Sequence, residues 1–158
     1  MRATLIDQIT ALLNIAGPLH HVKPHGALYN DAHKDRALSE NLIAAIRDVD
    51  PTLPIVCSDS SQMAAAARAA GTPVIREAFA DRRYNPDGSL VSRNEPGALL
   101  TVAEAAAQAA LLAKEGTVIA RDGTRISVPF DTICVHADME HAAERLRAIR
   151  RNISPETE

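Results

Sequence analysis

The sequence predicts an α/β chain in which parallel strands alternate with helices, and three observations support this fold class. Apolar residues recur at helical spacing in several segments of the 158-residue chain. Short apolar runs without polar alternation separate those segments, as is typical of strands buried on both faces. Capping residues, glycines and prolines mark most boundaries. This alternation favours parallel strand–helix units over a helix bundle or a β-sandwich.

The first half of the chain contains two amphipathic helices, each followed by a strand. Gly17-Pro18 ends the first helix, because glycine accepts a left-handed cap and proline cannot continue a helix. Pro51 ends the second helix, and "LHHVK" and "LPIVCS" are the strands that follow. The apolar helix residues are Leu5, Ile9, Leu12, Leu13 and Ala16 in the first helix, and Leu38, Leu42, Ala45, Ile46 and Val49 in the second.

The middle of the chain continues the alternation. Ser60 or Ser61 caps the helix "SQMAAAARAA", Gly71 ends it, and "TPVIREAFA" is the next strand. The irregular segment 80–98 is longer than the usual connection, and ordered connections of that length are often functional. We therefore expect part of the functional site in this segment.

The last part of the chain begins with a capping box, in which Thr101 and Glu104 start the helix "VAEAAAQAALLAKEG". "TVIARDGTRISVP" predicts a hairpin with a type I′ turn at Asp122-Gly123. "DTICVHAD" is the final strand, and Asp138 caps the final helix. That helix carries the apolar residues Ala142, Leu146 and Ile149, with Arg147, Arg150 and Arg151 near its carboxyl end.

Composition and charge limit the domain count and the partners. With 46% hydrophobic and 23% charged residues, the chain can build one sizeable core, so we predict a single domain over residues 1–158. A net charge of −3 lacks the basic footprint of nucleic-acid or anionic-membrane binding, so neither partner is expected. No long apolar run or signal-peptide pattern occurs, which indicates a cytoplasmic protein. Cys57 and Cys134 lie in apolar runs, and we predict free core thiols.

Polar side chains follow each predicted strand at the point where the strand ends. Because the carboxyl ends of parallel strands open onto one face, we expect these side chains to line a common pocket. They are Lys23 and His25 after the first strand, Ser58 and Asp59 after the second, Asp81, Arg82 and Arg83 after the third, and His136 and Asp138 after the last.

Several of these polar residues also have a plain structural explanation. Lys23 could reach solvent or pair with a carboxylate. His20 and His21 alternate across the predicted first strand, so one of them could be a hydrogen-bonded interior histidine. Asp81 and Arg82 could form a local ion pair that braces the loop.

Known metal and nucleotide motifs are absent from the sequence. His136-x-Asp138 resembles a fragment of a metal site, but two ligands are weak evidence and Asp138 is already explained as a helix cap. We therefore predict no metal site. No Walker loop, GxSxG elbow or GxGxxG fingerprint occurs.

Three motifs carry a family resemblance. In this order and at these separations, "HHVKPHGALYN", "EAFADRRYNPDGSLVSRNEPGALL" and "DTICVHAD" resemble the LamB/YcsF family along nearly the whole chain. The resemblance implies a (β/α) barrel of the glycoside hydrolase/deacetylase-like type, related to metal-dependent polysaccharide deacetylases. It also implies the A subunit of a prokaryotic 5-oxoprolinase. With subunits B and C and with ATP, and with Mg²⁺ accompanying the nucleotide, such an enzyme opens 5-oxoproline (pyroglutamate) to L-glutamate.

The chain departs from the family pattern at two places. Family members begin with segments resembling "DLNCDLGE", "ACGFHAGDP" and "GAHPGYPD", which do not occur in this sequence. Since a closed barrel usually needs about 200 residues or more, we expect an incomplete barrel, about the carboxyl-terminal two-thirds of a closed one. A second copy or a separate amino-terminal piece would then cover the exposed sheet edges. The family ending "VHGDTPGA" reads "VHADMEHA" here, with Ala137 and Glu140-His141 at altered positions, so we expect a different last loop.

The implied activity suggests roles for the residues that match the motifs. Opening an unstrained amide needs cations that hold negative charge and a base that prepares the nucleophile. We predict that Lys23 and Arg82 stabilise the anion, and that His25 and Asp81 transfer or orient protons. The predicted site consists of the catalytic residues Lys23, His25, Asp81 and Arg82 and the substrate-binding residues Tyr29, Asn30 and His136.

Two other functions stay open from the sequence. A degenerate or split subunit would keep the scaffold and act as an assembly or regulatory component of the same complex, because only part of the family's catalytic surface is present. A stand-alone metal-dependent deacetylase or hydrolase is the weaker alternative, since His25, His136 and Asp138 do not complete a ligand set.

Overall fold

The computed structural model describes residues 1–153, and the chain divides into two compact units, Met1–Arg76 and Glu77–Glu158. Both units contain helices and parallel strand pairing, so the predicted α/β class, with parallel strands alternating with helices, is confirmed. The single domain over residues 1–158 stays a prediction.

The first unit builds its core from one parallel strand pair and the helices beside it. The helices α1 (Arg2–Ala16), α2 (Gly26–Lys34) and α3 (Arg36–Val49) precede β1 (Ile55–Cys57), and α4 (Gln62–Ala69) connects β1 to β2 (Val74–Phe79). β1 is buried along its whole length and pairs with the first half of β2. The apolar face of α3 completes this core with Leu42, Ile43, Ala45 and Ile46.

Local hydrogen bonds explain where two of these helices begin. The Asp35 carboxylate accepts a hydrogen bond from Leu38 N at 2.9 Å at the start of α3. Ser61 Oγ accepts one from Ala64 N at 3.1 Å at the start of α4, which confirms the predicted cap. Such caps satisfy N–H groups that have no partner inside the helix.

The segment "LHHVK" is not the predicted strand, and only Val22 pairs with β1. Val22 N donates to Pro54 O and Val56 N donates to Val22 O, both at 2.9 Å. The next donor of a parallel ladder would be the backbone nitrogen of Pro24, which carries no hydrogen. The pairing therefore stops after one bridge.

The side chains of the first unit differ from the prediction in three further ways. His20 and His21 are both exposed, so the expected interior histidine is wrong. The sequence does not predict α2, since "GALYNDAHK" has no extended apolar face, yet this helix forms and buries Tyr29. In α1, Ile9 of the predicted apolar face is buried but Leu12 of the same face is 56% exposed, so this face is only partly covered.

In the second unit, the end of β2 leads through residues 80–101 into α5 (Val102–Glu115). The hairpin of β3 (Thr117–Ile119) and β4 (Arg125–Ser127) follows, and then β5 (Thr132–Cys134) and α6 (Ala142–Ile153). β5 pairs in parallel with the second half of β2, from Glu77 opposite Thr132 to Phe79 opposite Cys134. A hydrophobic cluster joins residues next to β2 with α5 and α6, and consists of Ala80, Leu100, Ala105, Ala109 and Ile149.

The predicted capping box of α5 is confirmed, because Thr101 and Glu104 exchange both of its hydrogen bonds. The predicted hairpin also forms, but its turn is not type I′. Gly123 alone of the Asp122-Gly123 pair has a positive φ, and Gly123 N donates to Ala120 O at 3.0 Å. This geometry is a type I turn followed by a left-handed glycine, a common three-residue hairpin loop.

Asp138 does not cap the final helix as predicted. The helix α6 begins only at Ala142, and the Asp138 carboxylate instead accepts a hydrogen bond from Arg93 Nη1 at 2.9 Å. The long-range ion pair has replaced the local cap.

Cys57 and Cys134 carry thiols that are not joined in a disulfide, as predicted. Cys57 is buried, whereas Cys134 is half-buried. Across residues 1–153, none of the helices combines the length and the apolar composition that crossing a bilayer requires.

Candidate functional site

The carboxyl ends of β2 and β5 bring together two of the predicted site residues, Asp81 and His136. His136 Nδ1 lies 2.9 Å from Asp81 Oδ1, and the His136 backbone N–H donates to Asp81 Oδ2 at 2.6 Å. The Asp81 side chain is fully buried, whereas the His136 side chain keeps 22% of its surface exposed. A buried carboxylate thus holds both the ring and the backbone of a residue that solvent and small molecules can reach.

The pairing of β2 with β5 positions this contact. Phe79 lies opposite Cys134, and Ala80 N donates to Cys134 O at 3.1 Å, so the two segments leave the strands side by side. The Phe79 ring also stacks on the His136 ring, with 5.9 Å between the ring centroids. The imidazole is therefore held by a hydrogen bond at Nδ1 and by a ring contact on one face.

Gln108 of α5 holds the turn that carries Asp81. Gln108 Nε2 donates to Phe79 O and to Arg82 O, both at 2.8 Å, and lies 3.3 Å from Ala80 O. Gln108 is buried, and a buried amide that serves several carbonyl oxygens restrains the backbone around them.

The surroundings of Asp81 keep its carboxyl group ionised. Burial is the largest single effect and raises its pKa, but hydrogen bonds from the ring and backbone of His136, with the charge of that ring, together lower the pKa below its ordinary value. An ionised carboxylate only accepts hydrogen bonds, so the shared proton lies on His136 Nδ1. In the neutral ring, Nε2 then keeps its lone pair.

Arg82 is a second buried charge in this unit, with 4% of its surface exposed. Its Nη2 donates to Val91 O at 2.7 Å, and its Nε has no hydrogen-bond partner among the described residues. Burial, and then the nearby charge of Arg93, lower the pKa of Arg82. The ion pairs found within residues 1–153 do not include Arg82, so the alternative of a local Asp81–Arg82 ion pair is wrong.

The irregular segment 80–98 is ordered by its own hydrogen bonds. Tyr84 is buried and its Oη accepts a hydrogen bond from Phe79 N at 2.7 Å, and burial raises the pKa of this phenol so that it stays protonated. Val91 N donates to Arg83 O at 2.9 Å, and Arg83 Nη2 pairs with Glu104 at 2.7 Å. The segment is therefore a folded connection beside the Asp81–His136 pair.

Two predicted catalytic residues, Lys23 and His25, lie in the first unit. Lys23 is half-buried, and His25 is exposed and extended immediately before α2, where its side chain caps no N–H group of the helix. The expectation that they share a pocket with Asp81 and His136 stays a prediction.

Two predicted substrate-binding residues lie on α2 of the first unit. Tyr29 is buried, and its Oη accepts a hydrogen bond from Ser58 N at 2.9 Å. The exposed Asn30 donates through Nδ2 to Gly26 O at 3.2 Å within the helix. Contacts inside the first unit occupy both of these polar groups, one across 29 positions and one within a helical turn.

Sequence reasoning missed two residues that shape the site, Gln108 and Arg93. Gln108 lies in the middle of an alanine-rich helix, and its polar residue type by itself does not indicate burial. Arg93 lies in the motif "EAFADRRYNPDGSLVSRNEPGALL", which was a usable signal. Its hydrogen bond to Asp138 lowers the pKa of that carboxyl group.

Comparison with known proteins agrees with the resemblance drawn from the motifs. Residues 1–157 match the LamB/YcsF family. The chain is 46% identical to the A subunit of 5-oxoprolinase from Methylococcus capsulatus, over 98% of this chain and 61% of that protein. It is 40% identical to the A subunit of 5-oxoprolinase from Neisseria meningitidis, over 97% of this chain and 64% of that protein.

A solved structure is also similar, that of the lactam utilization protein from Thermus thermophilus. The TM-score is 0.85 at 40% identity, over 96% of this chain and 62% of the other. This likeness agrees with the predicted class of a deacetylase-like barrel with parallel strands alternating with helices. The chain spans less than two-thirds of the length of these relatives. With a family match over nearly all of its residues, the chain belongs to the LamB/YcsF family.

Proposed function

We propose that this chain provides the proton-transfer centre of a 5-oxoprolinase, a hydrolase that opens the cyclic amide of 5-oxoproline to L-glutamate. The observation that carries the proposal is the hydrogen-bonded pair of buried Asp81 and accessible His136. The relatives named as A subunits of 5-oxoprolinase, and the relative named lactam utilization protein, support a lactam as the substrate class.

Asp81 and His136 act together as a general base. Asp81 accepts a hydrogen bond from the Nδ1–H group of His136 and so sets the tautomer and the orientation of the ring. The lone pair on Nε2 then takes a proton from the water that attacks the lactam carbonyl carbon. When the carbon–nitrogen bond breaks, the protonated ring returns that proton to the leaving nitrogen, which becomes the amine of the product.

Arg82 provides positive charge beside this pair. A buried guanidinium without a carboxylate partner stabilises the negative charge that develops on the lactam oxygen, because little water screens it there. Lys23 and His25 enter the proposal through the family motif alone, as do Tyr29 and Asn30 as substrate contacts. We expect Lys23→Ala to lower turnover at least about tenfold if its charge serves the same purpose.

ATP and the partner subunits B and C belong to the proposed overall reaction, as the family resemblance implies. Within the proposal, ATP with Mg²⁺ would supply the free energy that makes opening of the lactam favourable. The residues of this chain contribute the proton transfers and the charge stabilisation.

The test is glutamate formation by the chain combined with subunits B and C of a related bacterium, ATP and 5-oxoproline. We expect Asp81→Asn to lower turnover by about 10²- to 10⁴-fold, the range of a general acid–base contribution. Asp122→Asn is the matched control, because it makes the same change in the exposed hairpin turn. Its turnover should equal that of the wild type.

The outcomes distinguish the catalytic role from a structural one. Thermal unfolding of each variant shows whether lost turnover reflects lost folding. Wild-type turnover in a folded Asp81→Asn variant would contradict the proton-transfer centre. A wild-type chain that assembles with subunits B and C but yields no glutamate would instead favour the non-catalytic scaffold.

A further inference from the structure

A pocket of about 730 Å³ lies in the second unit, between the start of α5, the first half of α6 and the loop before α6. Asp138, in the loop that also carries His136, contributes to its wall. The pocket and the proposed catalytic pair therefore share this loop. Its charged and titratable lining residues are Arg93, Asp138, Glu140, His141, Glu144 and Arg145.

Arg145 is the most unusual of these residues, because it is 4% exposed and carries a fixed charge. Its Nη1 donates to Glu140 O at 3.2 Å and its Nη2 to Leu100 O at 3.4 Å, which are long hydrogen bonds to neutral carbonyl groups. Its Nε has no partner within the described chain, and none of the ion pairs there involves Arg145. A buried charge without an opposite charge is costly, so local structure alone does not explain this guanidinium.

Arg93 presents a second guanidinium to the same pocket. The carboxylate of Asp138 accepts a hydrogen bond from its Nη1 at 2.9 Å, which fixes the orientation of the planar fork. A guanidinium has five N–H donors, so a partner at one nitrogen leaves others for a ligand.

The acidic residues of the lining decide which anion suits the pocket. Asp138 is paired with Arg93, and Glu144 lies 3.4 Å from His141 Nδ1. With the carboxylate of Glu140 added, three negative side chains face two arginines in the lining. These side chains together are net negative, so they repel a carboxylate, with one negative charge, less than a phosphate monoester with about −1.5 to −2.

We propose that Arg145 and Arg93 form a subsite that binds the carboxylate of the lactam substrate. The inference rests on the proposed function, because 5-oxoproline carries one carboxylate beside its lactam ring. Arginine forks bind carboxylates through paired N–H···O bonds, and such a contact would hold the ring in one orientation. A bound carboxylate would also give Arg145 the opposite charge that it lacks.

Isothermal titration calorimetry on the full chain tests the subsite without any turnover. The probes are 5-oxoproline and 2-pyrrolidinone, the same five-membered lactam without the carboxylate. We expect 5-oxoproline to bind at least about tenfold more tightly, as for a charge-assisted contact. Arg145→Met should remove that preference, Arg145→Lys should keep part of it, and Arg150→Gln on the exposed side of the same helix should keep it all.

Each outcome bears on the subsite separately from the reaction. Equal affinity of the two lactams, or no measurable binding of 5-oxoproline, would overturn the carboxylate subsite, while the Asp81→Asn turnover would still decide the proposed function. Tighter binding of inorganic phosphate than of 5-oxoproline would also overturn it. Thermal unfolding of Arg145→Met and Arg145→Lys shows whether each variant is folded, and a preference retained in a folded Arg145→Met would exclude Arg145.

Discussion

The polar residues at the end of β1 and those at the end of β2 differ in what their contacts accomplish. After β1, Ser58 N donates to the hydroxyl of Tyr29, Ser61 caps α4, and Asp59 pairs with Arg68. Each of these contacts completes a turn or a helix end in the first unit. Asp59 and Ser61 thus have structural roles within ten positions of the strand end, whereas the hydroxyl of Tyr29 serves a backbone N–H group 29 positions away.

After β2, the polar contacts are buried and join distant parts of the sequence. Asp81 binds His136 across 55 positions, Gln108 reaches back to the same turn, and Arg82 is buried without a carboxylate partner. Burying charge in this way is unfavourable for stability alone. The contrast indicates that buried polar residues without a role in local structure mark the candidate site. A buried charge that does not stabilise the fold is available for catalysis or binding.

Gln108→Leu should give the largest change in stability. It removes the donor of the buried carbonyl groups around Asp81, so we expect the free energy of unfolding to fall by about 2–3 kcal/mol. Gln62→Leu makes the same replacement at the first position of α4 in the first unit and should change it by less than about 0.5 kcal/mol. Urea denaturation of both variants measures the difference, and equal losses would erase the contrast between the two units.

Asp81→Asn should lower the free energy of unfolding by about 2 kcal/mol at neutral pH, because hydrogen bonds to a charged group are lost. The pKa of Asp81 is lowered in the folded chain, because its hydrogen bonds to His136 together outweigh the larger single effect of burial. Its ionised form therefore contributes stability above the unfolded value of about 4, and this contribution is lost as the pH falls through the lower folded value. Urea denaturation of the wild type and of Asp81→Asn at several pH values measures this contribution. A difference in the free energy of unfolding that does not depend on pH would contradict the prediction.

Ser61→Ala probes the first unit, where polar residues serve local structure. Loss of the cap at α4 should lower the free energy of unfolding by about 1 kcal/mol and leave turnover in the reconstituted complex unchanged. Ser92→Ala, at an exposed position of the second unit, is the matched control and should alter neither property. A turnover defect in a folded Ser61→Ala chain would show that the end of β1 also takes part in the reaction.

His141→Gly should give the smallest change in the free energy of unfolding, and it should raise this free energy, whereas the other substitutions lower it. His141 has a φ of 58° at the altered family position before α6, and no other non-glycine residue within residues 1–153 has a positive φ. Glycine removes this strain, so we expect about 0.5 kcal/mol of added stability. Glu144→Gln tests separately the exposed contact between His141 and Glu144, and a destabilised His141→Gly chain would mean that this contact outweighs the strain.

The elements that the sequence predicts well are those set by neighbouring residues. The cap of α4 joins Ser61 to Ala64, and the capping box of α5 joins Thr101 to Glu104, so both hydrogen bonds close within one helical turn. The residue types at those positions suffice to predict such bonds. The alternation of apolar runs with helical patterns is equally local, and it led to the correct fold class.

The failed predictions concern positions where a distant contact or a missing donor decides. Pro24 stops the pairing of "LHHVK", although the run itself has strand character. Asp138 has the side chain of a helix cap, but Arg93 binds it instead. In the hairpin, Gly123 N donates to Ala120 O and the loop has three residues. The Asp122-Gly123 dipeptide alone predicted a two-residue type I′ turn instead.

For the site, residue order alone established that strand ends carry Asp81, Arg82 and His136, because period and turn residues show where strands stop. Three-dimensional packing was needed to show that Asp81 binds His136, that Gln108 supports their turn and that Arg145 is buried. These contacts depend on how β2 and β5 align and on how α5 and α6 pack beside them. Residue types along one segment do not specify such alignment, since it follows from burial shared by segments far apart in the chain.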